Sequence, residues 1–251
     1  MRKENAFSIG IYFILGILFF SPKAYAMHIA EGFLPFKWAG IWWVLILPFL
    51  ALGIKYIKNV IEEQGHGVKM LLALAGAFVF VLSSLKLPSI TGSCSHPTGI
   101  GLGAILFGPW PMVVLGCIVL IFQAILLAHG GLTTLGANTF SMAIVGAFVA
   151  YGVYKLSKKL GAPLWLAVFL AAALGDLITY LTTAVQLSLA FPAESGGIMV
   201  SLTKFMGVFA TTQIPLAITE GLVTVLVFNV LQEYSKGELQ ELSIISKEGR
   251  I

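Results

Sequence analysis

Apolar residues gather along this chain in long blocks separated by short polar or charged breaks. After a first run at 6–20, the blocks cover roughly 38–58, 69–86, 98–107, 110–128, 137–156, 163–190 and 206–231. Most approach the ~20 residues that a helix needs to cross a bilayer, so they predict several spans rather than one anchor. The least obvious boundary is Gly108-Pro109-Trp110-Pro111, which divides an apolar stretch at 98–128. Prolines after a glycine remove helix donors and turn the chain.

Lysine positions support that division. With the block after residue 26 starting outside and seven spans counted, Lys55, Lys58, Lys69, Lys155, Lys158, Lys159, Lys236, Lys247 and Arg250 fall inside, and only Lys37, Lys86 and Lys204 fall outside. Without the break the Lys155 to Lys159 cluster would move outside and the positive-inside bias would weaken. The expected fold is therefore all-α, a polytopic transmembrane helical bundle of about seven spans. It occupies residues 27–232 as one domain, with a short polar cytoplasmic tail at 233–251 that has little to bury.

Composition agrees with this. Hydrophobic residues make up 58% of the chain and charged ones 10%, with mean hydropathy +0.96, far from the quarter charged that is usual in globular domains. The formal charge of +4 arises from lysines between spans. It reports orientation in the lipid and carries no sign of nucleic-acid binding, because no basic patch is interleaved with aromatics. Cys94 and Cys117 form no C-x-x-C pair and no disulfide framework. They are read as small apolar side chains among helices, with a soft-ligand role left open for Cys94 beside His96.

The N-terminus is organised differently from the later blocks. A charged head MRKEN precedes the apolar run AFSIGIYFILGILFF, and SPKAYA ends in a small-x-small pattern at Ala24 and Ala26. This is the three-part plan of a cleavable signal peptide covering 1–26. An uncleaved first helix is the alternative, because a short apolar run can span where the bilayer thins. Cleavage would make Met27 the first residue, with its amine outside the cytoplasm.

The predicted topology sorts the four histidines. His66 falls in a cytoplasmic loop, EEQGHGVK, whereas His28, His96 and His129 fall at the outer face. Neutral imidazole is the commonest protein metal ligand, which makes the outer group a candidate site. If Met27 is the mature terminus, its α-amine, the deprotonated backbone nitrogen of His28 and the His28 Nδ1 can chelate one ion through fused five- and six-membered rings. Three coplanar nitrogens suit Ni(II), Cu(II) or low-spin Co(II), and they suit tetrahedral zinc or oxygen-seeking Mg(II) poorly. His96, in TGSCSHPTG, is the candidate fourth nitrogen: Pro97 holds its backbone extended and the flanking glycines permit a tight loop. His129 and Asn138 are candidates to orient a ligand from behind it.

Taken together, the mature start MHIAEG, the loop SCSHPTG and the segment QAILLAHGGLTTLGANTFSMAIVGA resemble the substrate-binding membrane subunit of cobalt and nickel energy-coupling-factor transporters, the CbiM/NikM family. The resemblance covers essentially all of the mature chain. It implies metal capture by Met27, His28 and His96, and uptake of Co(II) for cobalamin synthesis or of Ni(II). It also implies partners: a transmembrane coupling subunit, cytoplasmic ATPase subunits and a small accessory membrane subunit in a bacterial or archaeal cytoplasmic membrane. The departure is the leader, since some members begin directly at Met-His.

Other signals point elsewhere or nowhere. The chain contains no G-x-x-x-x-G-K-[ST] loop, so ATP drive has to come from another subunit, and Gly99-Ile-Gly-Leu-Gly103 reads as close helix packing. Catalysis would need a nucleophile, base and orienter or a zinc motif such as H-E-x-x-H; the motif is absent, and Ser93 and Ser95 near His96 are too generic to carry a nucleophile claim. Ala73-x-x-x-Ala77 and Ala171-x-x-x-Gly175 are small-residue stripes suited to internal packing or docking. Asp176 and Glu220 lie inside predicted spans, where ionisable groups are costly; a stand-alone proton-coupled permease would use them.

Overall fold

The computed structural model describes residues 25–26, 28–64, 66–85, 87–88, 93–242 and 244. The charged head and apolar run of the leader, and Met27, lie outside the described residues. The helices are α1 (Phe36–Gln64), α2 (His66–Ser84), α3 (Ile100–Phe107), α4 (Pro109–Leu127), α5 (Leu135–Lys159), α6 (Leu164–Ala190), α7 (Gly197–Tyr234) and α8 (Lys236–Glu241). Within α5, Thr139–Gly146 is π-helical. Three short strands, β1 (Tyr25–Ala26), β2 (Leu87–Pro88) and β3 (Ser93–Ser95), form a small sheet in the order β1-β3-β2. The β1–β3 pair is parallel and the β2–β3 pair antiparallel.

Five helices, α1, α4, α5, α6 and α7, are long and apolar enough to cross a membrane, and α2 is a shorter apolar helix. Many large apolar side chains point outward, among them Val44, Leu47, Met70, Ile125, Leu126, Trp165, Met199 and Leu226. That pattern suits lipid as the solvent and is foreign to a water-facing surface. The inward face of α1 is set by Ala39, Trp42 and Ile46, spaced one helical turn apart, while Val44, Leu45 and Leu47 face out.

Each of the seven apolar blocks contains a helix, but the helix of the third is too short to cross a bilayer by itself. Helix α3 has eight residues, about 12 Å at 1.5 Å per residue, against a hydrocarbon core of about 30 Å. Non-helical chain at 93–99 leads into it, and residues 95–100 are all buried. Irregular backbone survives at such depth only when protein surrounds it. Every residue of α3 is buried, so this short helix is a central pillar with α4, α5 and α6 packed around it. The Gly99 to Gly103 run serves close packing: a Cβ on Gly101 would sit 2.7 Å from the Ala172 Cα.

Two apolar clusters sit toward opposite ends of the bundle. One joins Val68, Leu71, Leu106, Tyr154, Ala167 and Phe228 with Leu239 of α8. The tail therefore has something to bury: Leu239 is fully enclosed, and Leu242 and Ile244 pack against the same cluster. The other cluster joins Ile29, Leu34, Trp42, Ala137, Tyr180 and Phe209. The Ala171 to Gly175 stripe packs internally, since a Cβ on Gly175 would meet that of Ala150 at 2.9 Å. Ala73 and Ala77 face outward.

Candidate metal centre

The segment after residue 27 is stitched into the bundle through its own backbone. Ile29 N–H donates to Asn138 Oδ1 at 2.8 Å, and Asn138 Nδ2 donates back to the Ile29 carbonyl at 3.1 Å. The Thr134 hydroxyl donates to the same carbonyl at 2.6 Å. A side-chain amide carries the donor and acceptor of a peptide group, so Asn138 pairs with Ile29 as a strand would. Farther along, Glu31 N–H donates to the Gly130 carbonyl at 3.1 Å, and Gly32 N–H to the Thr133 hydroxyl at 3.0 Å. The exposed Glu31 carboxylate accepts from Thr133 N–H at 3.2 Å. Hydrogen bonds from Thr133, its hydroxyl foremost, hold the Glu31 carboxyl below its ordinary value.

His129 enters the same pocket because α4 stops beside it. Ala128 takes a left-handed conformation at φ 46° and caps the helix, and His129 N–H then donates to the Gln123 carbonyl at 3.1 Å. An αL residue in this position is a common helix stop, although glycine usually fills it.

The His96 loop is held by α6 and α7. Tyr180 on α6 donates its hydroxyl to the His96 carbonyl at 2.7 Å. Ser95 and Thr212 share a hydroxyl hydrogen bond of 2.8 Å. The Glu220 carboxylate accepts from Thr98 N–H, from the Thr98 hydroxyl at 2.8 Å and from Gly99 N–H at 2.9 Å.

Three imidazoles meet where these segments converge. His28, His96 and His129 are all buried, and their candidate donor atoms lie within 4.8 Å of one another. His96 Nδ1 stands 2.8 Å from the Pro97 carbonyl. A carbonyl only accepts, so Nδ1 carries the hydrogen and Nε2 presents a lone pair. That Nε2 lies 2.8 Å from His28 Nδ1, the nitrogen a six-membered chelate ring requires. In the metal-free state the contact is an N–H···N hydrogen bond, and a metal would take the place of the shared proton.

The 2.8 Å separation is an ordinary N–H···N hydrogen-bond length; it is also compatible with adjacent nitrogens of a square plane, which at metal–nitrogen bonds of about 2.0 Å lie about 2.8 Å apart. The His129 ring lies 4.7 Å from that of His28 and 4.8 Å from that of His96, centroid to centroid. A narrow space beside His28 is lined by Asn138, Ser141, Met142, Thr179 and Thr183.

Of the residues singled out from the sequence, the structure thus gathers His28, His96, His129 and Asn138. Met27 lies outside the described residues. His66 is the first residue of α2. Cys117 is a buried free thiol in the apolar cluster with Ile100 and Met112. Asp176 and Glu220 lie fully buried against each other beneath the His96 loop. Tyr180 was not singled out, although it continues a polar stripe of Asp176, Thr179 and Thr183 along an otherwise apolar helix.

Comparison with known proteins finds chains similar to this one along most of its length. Residues 28–237 match the family CbiM, described as the cobalt uptake substrate-specific transmembrane region. A cobalt transport protein CbiM of Acetohalobium arabaticum is 74% identical over 246 residues, 98% of each chain. One from Moorella thermoacetica is 63% identical over 235 residues, 94% of this chain and 90% of its own. The fold is also similar to crystal structures of a transition metal transporter, with TM-score 0.72 and 27% identity over 88% of this chain and 100% of that one. A truncated transition metal transporter gives TM-score 0.71 and 28% identity over 82% and 99%.

Proposed function

The chain belongs to the CbiM family, and from that premise we propose that it is the metal-capturing membrane subunit of an ATP-driven Co(II) uptake transporter of the energy-coupling-factor type. It is a multi-pass membrane transport component and not an enzyme. The observation that carries the proposal is the convergence of three buried imidazoles, His28, His96 and His129, with donor atoms within 4.8 Å of one another and His28 Nδ1 2.8 Å from His96 Nε2.

In this reading the leader is removed after Ala26. The freed α-amine of Met27, the deprotonated His28 backbone nitrogen, His28 Nδ1 and His96 Nε2 then close the square around the ion. The α-amine has an ordinary pKa near ~7.7–8, so the incoming metal displaces protons there and at the His28 amide. Asn138 fixes the residue after His28, and His129 flanks the square from behind. Cleavage also withdraws Tyr25–Ala26 from its pairing with Ser93–Cys94. Ni(II) is an alternative cargo, because the same four nitrogens suit it equally.

The partners in this reading are a transmembrane coupling subunit, cytoplasmic ATPases and a small accessory membrane subunit, with the acquired metal feeding cobalamin synthesis. The capture site faces outward, and release inward requires the subunit to reorient within its complex. For the alternative, a permease driven by protons at Asp176 and Glu220, the Glu220 carboxylate is already occupied by three donors, which counts against it as the carrier group. Measuring Co(II) uptake in cells with and without an active partner ATPase tests the proposal. Uptake should vanish when the ATPase is inactivated, and full uptake by this subunit alone would overturn it.

A further inference from the structure

Glu220 sits at the far end of a single peptide plane from His96. The peptide unit joining Pro97 to Thr98 offers its carbonyl to His96 Nδ1 at 2.8 Å and its N–H to the Glu220 carboxylate. A peptide is rigid and planar, so fixing one end fixes the other. The carboxylate is itself placed by two more donors, the Thr98 hydroxyl and Gly99 N–H, and it is completely enclosed. Asp176, equally enclosed, lies against it from α6.

We infer that Glu220 is the positioning residue for His96, acting through the Pro97–Thr98 peptide as a carboxylate–peptide–imidazole relay. Metal-bound histidines commonly donate their second ring nitrogen to a carboxylate or a carbonyl, which fixes the tautomer and raises ligand basicity. Here a carbonyl does this, and a carboxylate stands behind the carbonyl. A charged acceptor on the peptide N–H polarises the unit and makes its oxygen a stronger acceptor. The His96 Nδ1 hydrogen is held more firmly, and Nε2 becomes a stronger donor to the metal.

The relay also makes His96 answer to helix position. Glu220 belongs to α7, while Pro97 and Thr98 lie in the loop that leads into α3. A shift of α7 relative to α3 rotates the peptide and turns His96 Nε2 out of the plane. The inference rests on the proposal that His96 is a metal ligand, and its test separates the two.

Co(II) is titrated into the mature protein in detergent, and its affinity and the EPR spectrum of the bound ion are recorded for the parent, His96→Ala, Glu220→Gln and the double variant. The relay predicts that Glu220→Gln weakens binding by about 10- to 100-fold and shifts the EPR parameters, because the in-plane donor changes. In the His96→Ala background the same substitution should have no further effect on affinity, since a relay that ends at His96 has nothing left to act on. If Glu220→Gln does not fold, Glu220→Asp draws the carboxylate back by one methylene, and the same loss, shift and absence of effect beside His96→Ala are expected. Equal loss with and without His96, or a loss with an unchanged spectrum, would overturn the relay and leave Glu220 a support of the fold. Parent-like binding in the substituted protein would overturn it too. Unchanged affinity in His96→Ala alone would overturn the metal-site reading instead.

Discussion

His28 and His96 are 68 residues apart in sequence, yet Nδ1 of the first and Nε2 of the second stand 2.8 Å apart in a buried pocket. The first is brought there by Asn138 and Thr134, which hold Ile29. The second is brought by Tyr180 and Glu220, which hold its loop. The site is thus a meeting of two segments, each fastened by helices of the bundle.

The two outer histidines beside His28 should differ in consequence. His96→Ala removes a nitrogen of the proposed square, whereas His129→Ala removes a neighbour of it. Co(II) titration of purified variants should show the larger loss for His96→Ala and a loss of about 10- to 100-fold for His129→Ala, as for outer partners of metal ligands. An equal loss in both would make His129 a ligand in its own right.

Asn138→Ala strips Ile29 of two hydrogen bonds while leaving every proposed nitrogen donor in place. Metal affinity should fall by about 10- to 100-fold, with the spectrum of the bound ion changed little. A parent-like affinity in Asn138→Ala would mean that the N-terminal segment is placed by other contacts.

The predicted topology put His28, His96 and His129 on one side, and small residues beside His96 marked its loop. That much was legible because a membrane chain declares its spans through hydropathy and its orientation through lysines. The depth of His96 was not legible. An apolar block at 98–107 looks like part of a span, and nothing local distinguishes an eight-residue buried pillar from the end of a longer helix. The π-helical stretch at Thr139–Gly146, which packs on α4 and α6, likewise has no marker in the hydropathy pattern. Asp176 and Glu220 stood out as charges in lipid, but the partners of Glu220 include two backbone N–H groups, of Thr98 and Gly99, which no side-chain pattern reveals.

Gly136 is where α5 begins against α1, and a Cβ there would lie 2.5 Å from the Trp43 nitrogen and 2.7 Å from the Trp42 carbonyl carbon. Backbone atoms cannot step aside, so Gly136→Ala should force the two helices apart and cost about 1–3 kcal/mol. Thermal unfolding in detergent should show a lower midpoint. Because Asn138 lies two residues on, metal affinity should drop as well.

Glu31 gives the N-terminal segment a pH dependence of definite sign. Its folded carboxyl titrates below the ordinary 4.5, so its contribution is complete above that pH and is lost as pH falls through the lower folded value. Hydrogen exchange of the 28–34 segment should rise in acid, with the rise beginning below pH 4.5. Glu31→Gln should flatten that portion of the profile. Persistence of the full acid-side rise in Glu31→Gln would assign it to another group.

The intact mass of the Co(II)-loaded protein, purified from a membrane in which it transports the metal, tests the account most directly. The proposed four-nitrogen square requires the α-amine of Met27, so the predicted mass is that of a chain beginning at Met27 plus one cobalt ion, less the protons it displaced. A metal-loaded, transporting chain that still carries residues 1–26 would contradict it.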